Sequence, residues 1–115
     1  MSGNINFNGW INDDGSENYK CRAWVNFDGD PVTIRASGNV SSITDIGVGE
    51  YTVNFTNAMP DANYSTVISC SENGSASMFV ANIGAYSSTS VEIETNRDTV
   101  SGYDDVGHIC AAIFR

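Results

Sequence analysis

The sequence predicts an all-β domain, an antiparallel sandwich of about nine short strands, and three observations predict it. The first is composition. The chain has 10 Val, 10 Ile, 8 Thr, 5 Tyr and 5 Phe, but no Leu, no Gln and a single Lys. Strong helix formers are scarce, while residues that suit a pleated, half-buried surface abound. Another 13 Asn, 14 Ser and 11 Gly supply turns and polar strand faces. The second is period-two alternation of apolar residues, repeatedly bounded by turn clusters. The third is length, since 115 residues make one domain around one core. A helical bundle is excluded, and a Rossmann-type α/β domain fits poorly.

The elements follow in order. Ile5, Phe7 and Ile11 predict a first strand that Gly9 bends, closed by Asn12-Asp13-Asp14-Gly15-Ser16. Cys21, Ala23, Val25 and Phe27 form one face of the next strand, with Arg22, Trp24 and Asn26 opposite. Asp28-Gly29-Asp30-Pro31 makes a hairpin turn, and Val32, Ile34 and Ala36 alternate with Thr33 and Arg35 on the return. Strands over 40–46 and 51–56 flank Gly47-Val48-Gly49, the second with Tyr51, Val53 and Phe55 on one face. Met59-Pro60-Asp61-Ala62-Asn63 is a loop before a strand over 64–70. Asn73-Gly74 turns the chain into a strand over 78–83. Ser87-Ser88-Thr89-Ser90 precedes one over 91–95, and Asn96-Arg97-Asp98 turns the chain again. No internal repeat or linker is evident.

The last segment breaks the pattern. Residues 106–114 are apolar at both parities, which predicts a strand buried on both faces. One face meets the sandwich core. For the other, the expectation is a second subunit, so Val106, His108, Ile109, Ala111 and Ile113 are expected at an oligomer interface. A central strand of a monomeric sandwich is the alternative.

Charge bounds the partners. Fourteen carboxylates against five basic residues leave a formal charge of −9. One Lys and four scattered Arg make no patch for nucleic acid or an anionic membrane. Neutral sugars, proteins and divalent cations stay open. No stretch has the apolar length of a membrane span, and Met1-Ser2-Gly3-Asn4 is unlike a secretory signal. Cys21, Cys70 and Cys110 are odd in number and widely spaced, which argues against a disulfide framework and fits a reducing cytosol. Each sits in an apolar strand pattern, as a small core residue does.

Three segments carry a resemblance: Lys20-Cys21-Arg22-Ala23-Trp24-Val25-Asn26-Phe27-Asp28-Gly29, then 34–45, then 49–56 running on to Ala58-Met59-Pro60-Asp61-Ala62-Asn63-Tyr64. Together, and in this order, they closely resemble the C-terminal domain of tail fibre proteins of bacteriophages and prophages. Ile109-Cys110-Ala111-Ala112-Ile113-Phe114 is similar to that family's closing strand. The resemblance divides the chain into an N-terminal strand or lead-in over 1–18 and a tail-fibre C-terminal-like β domain over 19–115. It implies a homotrimeric, β-rich tip, made in the host cytoplasm and carried on the virion, that attaches to bacterial cells. Residues 70–105 match less well, as a surface tuned to a host would. The resemblance carries over no functional residue.

Each chemical constellation meets a plainer reading. Asn26, Asp28 and Asp30 have the rhythm of half a calcium loop, but Pro31 and Ser37 stand where Gly and Glu are required. A hairpin turn explains them without a metal. Asp13-Asp14-Gly15 and Tyr103-Asp104-Asp105 read as solvated turns. His108, the single histidine, shares a strand face with Cys110, and such neighbours lie about 7 Å apart, too far for a nucleophile and its base. In a trimer, three copies of His108 reaching one axis could hold an ion, but a packed histidine is the default. There is no Gly-x-Ser-x-Gly elbow, and Gly47-Val48-Gly49 leads into a strand rather than a phosphate-binding helix. The sequons at Asn39, Asn54, Asn63 and Asn73 match chance for a chain so rich in Asn, Ser and Thr. No catalytic residue, metal or cofactor is expected.

The expected function is therefore non-catalytic binding of a bacterial surface glycan or protein, alongside other virion tail proteins, without nucleic acid or membrane insertion. A structural virion protein, decorating a capsid or stabilising a fibre, is the alternative. Expected ligand contacts are Asn73, Tyr86, Tyr103, Asp104 and Asp105 on loops of the poorly matching segment. Trp24, beside Arg22 and Asn26, is a further one, because an indole stacks on a sugar ring while polar neighbours bind hydroxyls. Because Trp24 lies in the segment shared with the whole family, subunit packing or sheet cover is the favoured reading of it, and the loop residues are the better surface candidates.

Overall fold

The computed structural model describes residues 13–16, 19–72, 79–97 and 104–115. They form eight strands: β1 (Cys21–Gly29), β2 (Val32–Gly38), β3 (Val40–Gly47), β4 (Glu50–Phe55), β5 (Ser65–Ser71), β6 (Phe79–Tyr86), β7 (Ser90–Arg97) and β8 (His108–Phe114). The expected strand at Ile5, Phe7 and Ile11, and the Asn73-Gly74 turn, lie outside the described residues. Two antiparallel four-strand sheets result, one in the order β2-β1-β8-β5 and the other β3-β4-β7-β6. The fold is all-β and sandwich-like. No described helix is long and apolar enough to cross a membrane.

Alternation builds the core. Ala23, Val25 and Phe27 of β1, Tyr51, Val53 and Phe55 of β4, Val91 and Ile93 of β7, and Ile109, Ala111 and Ile113 of β8 are all buried between the sheets. Each large aliphatic side chain sealed there contributes about 1.5–3 kcal/mol. Phe27 meets Tyr51 edge to face at 5.3 Å, and Phe55 meets Tyr64 at 5.8 Å, which ties the two sheets together. Val32, Ile34, Ile43, Ile68, Cys70, Phe79 and Ile83 pack partly buried around this centre.

Register irregularities at three points set the facing of Ala36, Ile46 and Cys21, against expectation at Ala36 and Cys21. Asn26 pairs with Ala36 while Phe27 pairs with Ile34, so Arg35 is an extra residue and Ala36 faces solvent rather than the core. A second irregularity, between Asp45 and Gly47, leaves Ile46 exposed. A third, between Cys21 and Ala23, turns Cys21 outward, so it is no core residue. Asn96 and Arg97, expected in a turn, instead end β7.

Strand β8 settles the parity question. It lies between β1 and β5, with Ile109, Ala111 and Ile113 pointing inward and His108, Cys110 and Ala112 outward. Val106, Ile109, Ala111 and Ile113 are 0–4 % exposed in the chain's own core. The expectation that they meet a second subunit is corrected: the opposite sheet already covers them. Of the five, only His108 reaches the outer face.

Candidate functional site

Register across the first sheet assembles its outer face. Trp24 sits between Gly38 on β2 and Ala112 on β8, and Ala112 in turn pairs with Val67 on β5. The next row reads Ala36, Asn26, Cys110, Ser69. Small residues on β8 therefore lie between the larger Trp24 and Val67. The result is a shallow, mainly apolar trough of about 380 Å³, floored by Cys110 and Ala112 and walled by Trp24, Asn26, Val67 and Ser69. Trp24 is 43 % and Val67 62 % exposed, and Phe114 stands at one end of the same strand, 40 % exposed.

Trp24 is held in place. A Cβ added to Gly38 would collide with the indole Nε1 and come within 2.9 Å of Cδ1. The indole thus lies against the bare backbone of β2. Beside it, Arg35 donates from Nη1 to Asn26 Oδ1 at 3.2 Å and from Nη2 to the Gly107 carbonyl at 2.6 Å. The bulge that displaces Arg35 from the ladder is what points it across β1.

The acidic loop residues do other work. Thr95, fully buried, donates from its hydroxyl to the Asp104 carbonyl at 2.6 Å, and the Asp104 N–H returns to the Thr95 carbonyl at 2.9 Å. Asp105 Oδ1 accepts from the Gly49 N–H at 2.7 Å and from the Tyr51 hydroxyl at 2.6 Å. Burial, reinforced by Asp105, pushes the Tyr51 phenol well above its ordinary ionisation range. Asp104 and Asp105, expected as ligand contacts, are half-buried and tie the approach to β8 onto the other sheet. Tyr86 is 41 % exposed, with its ring tilted against Tyr64 at 5.0 Å. It lies on β6 in the other sheet, away from Trp24. Asn73 and Tyr103 lie outside the described residues.

Two acidic clusters complete the surface. Asp28, Asp30, Glu72 and Asp105 line a small polar cleft of about 180 Å³ with Val106 and Gly107. Asp28 also pairs with Arg35 at 3.5 Å and accepts the Asp30 N–H at 3.0 Å, as the turn reading of this segment requires. Glu50, Glu92 and Glu94 bring carboxylate oxygens within 4.8 Å of one another. They make the second sheet strongly acidic where the trough is uncharged.

Of the residues around this trough, the sequence singled out Trp24 and gave no signal for Gly38, Val67, Ser69, Cys110 or Ala112. Alternation showed that β5 and β8 each have an outer face. It carried no sign that these two faces would be neighbours. Comparison with protein-family models, with curated proteins and with solved structures finds no match to this chain.

Proposed function

We propose that this chain is a non-catalytic attachment module of a bacteriophage tail fibre, acting as a homotrimer on the virion and binding a bacterial surface receptor. One observation carries the binding reading: an uncharged apolar trough with a fixed, half-exposed indole, on the rigid face of a sheet in a chain of charge −9. Rigid strands present such a surface at little ordering cost. The order of family-like segments over 19–115 supports the tail-fibre assignment. A shallow trough holds any ligand weakly, and three copies on one particle raise attachment through effective concentration.

The test is cell binding. Fluorescently labelled protein, at micromolar concentration, is expected to stain at least one strain of a bacterial panel and to compete with the phage infecting it. Native mass is expected at three times 12.3 kDa. Staining of no strain, with binding to capsids or other virion parts, would favour the structural alternative and overturn the attachment reading.

A further inference from the structure

We infer that the Trp24 indole and the adjoining trough form a stacking platform for uncharged pyranose rings of a glycan. This deepens the attachment reading and rests on it, naming the chemistry of the ligand at the same face.

Gly38 is the first support. Positive φ among described glycines is confined to Gly15 and Gly49, so backbone conformation gives no reason for a glycine at 38. The indole gives one: any side chain there would strike it. With its pyrrole edge against β2, Trp24 as a residue stays 43 % exposed beside the trough. An aromatic surface held in this way meets the C–H face of a sugar ring without first losing rotamer freedom.

Polar groups stand where hydroxyls need them. Asn26 Oδ1 is taken by Arg35, which leaves the amide hydrogens of Asn26 to donate. Ser69 lies in the same cross-strand row, beyond Cys110. Two strand spacings, about 10 Å, separate these groups across an apolar floor. The trough volume of about 380 Å³ lies within the usual size of a ligand cleft.

Charge selects the class of sugar. No Asp, Glu, Lys, Arg or His lines the trough, the Arg35 guanidinium that reaches its Asn26 wall is paired with Asp28, and the chain as a whole carries −9. Uronic and sialic acids would enter against that field, whereas neutral hexoses are indifferent to it.

The test uses full-length protein, with amide NMR shifts read during titration with maltotriose, cellotriose, mannotriose, galactotriose and polygalacturonate. Expected are saturable shifts at Ala112 and Ser69 with at least one neutral trisaccharide, at millimolar affinity, and none with polygalacturonate. Trp24→Ala is expected to weaken binding about tenfold while the rest of the spectrum stays dispersed. Gly38→Val should weaken it too, by displacing an indole that is still present.

The inference would be overturned by no saturable shift with any neutral sugar, by equal binding of polygalacturonate, or by a Cys110 thiol closed to labelling in the native oligomer. The last would mean that a second copy covers the trough. Staining of cells that Trp24→Ala leaves intact would also overturn it, yet leave the attachment reading standing. Neutral-sugar binding by a protein that stains no strain would do the reverse.

Discussion

The Tyr51 hydroxyl donates to Asp105 Oδ1 at 2.6 Å, joining the middle of one sheet to the chain that enters the other. The same phenolic oxygen lies 3.0 Å from the Gly29 carbonyl, so its single proton has two acceptors and goes to the closer, charged one. Asp105 also takes the N–H of Gly49, whose φ of +66° lets the β3–β4 turn close tightly. One carboxylate therefore holds a turn, a core aromatic and the lead into β8.

Tyr51→Phe is expected to destabilise the fold by about 1.5–3 kcal/mol, the usual loss for a hydrogen bond to a charged group. Asp105→Ala should fall in the same range, because the Gly49 N–H loses its acceptor. Asp105→Asn should lose less, since its amide oxygen still accepts. Urea denaturation checks all three.

Alkali tests the same contact with a defined sign. Burial first, then Asp105, raises the Tyr51 phenol above its ordinary 10.0. An unfolded tyrosine ionises near 10. The stability due to this group is therefore complete below that pH and is lost as pH climbs toward the higher folded value. Wild type should lose stability above pH 10 more steeply than Tyr51→Phe, by up to about 1.4 kcal/mol per pH unit. Urea midpoints across that range measure the difference.

Acid tests the Arg115–Asp61 pair. Arg115 donates from Nε to Asp61 Oδ1 at 3.1 Å and from Nη2 to Oδ2 at 2.9 Å. This contact, with the Asn63 N–H, lowers the carboxyl from 3.8 to about 2. Its contribution is present above the ordinary carboxylate range and disappears as pH falls toward 2. In Arg115→Ala the Asp61 titration, followed by carboxyl NMR, should move back toward 3.8.

Residues on the two faces of β8 should respond unequally to substitution. Ile109→Ala opens a cavity in a fully packed core and is expected to lose about 2–5 kcal/mol. Ala112→Ser, on the trough floor, should change stability by no more than about 0.5 kcal/mol. Equal losses at the two positions would contradict the parity of the strand.

Gly38→Val should lift the indole into water. With Trp10→Phe as background, leaving Trp24 as the single tryptophan, fluorescence is expected to shift to the red. A strained rotamer at this site loses about 0.5–1.5 kcal/mol of stability, read by urea denaturation. An unchanged spectrum would mean that the contact does not hold the ring.

Much of this molecule was legible in its sequence. Val and Ile without Leu, and the alternation through Ala23, Val25, Phe27 and Tyr51, Val53, Phe55, determined strands with one core-facing side, because a strand's side chains point to opposite faces in turn. The tertiary structure alone decided where alternation slips, at Arg35 and Ile46, since a bulge adds a residue without altering local hydropathy. It also decided that Ile109, Ala111 and Ile113 meet the opposite sheet rather than a second subunit. Asp105 reads as a solvated loop residue until Tyr51 and Gly49, more than fifty positions away, arrive beside it. The trough belongs to the same class. Trp24, Val67 and Ala112 become one surface only through the pairing of β1, β8 and β5, and pairing between distant strands depends on hydrogen bonds that every residue's backbone offers alike.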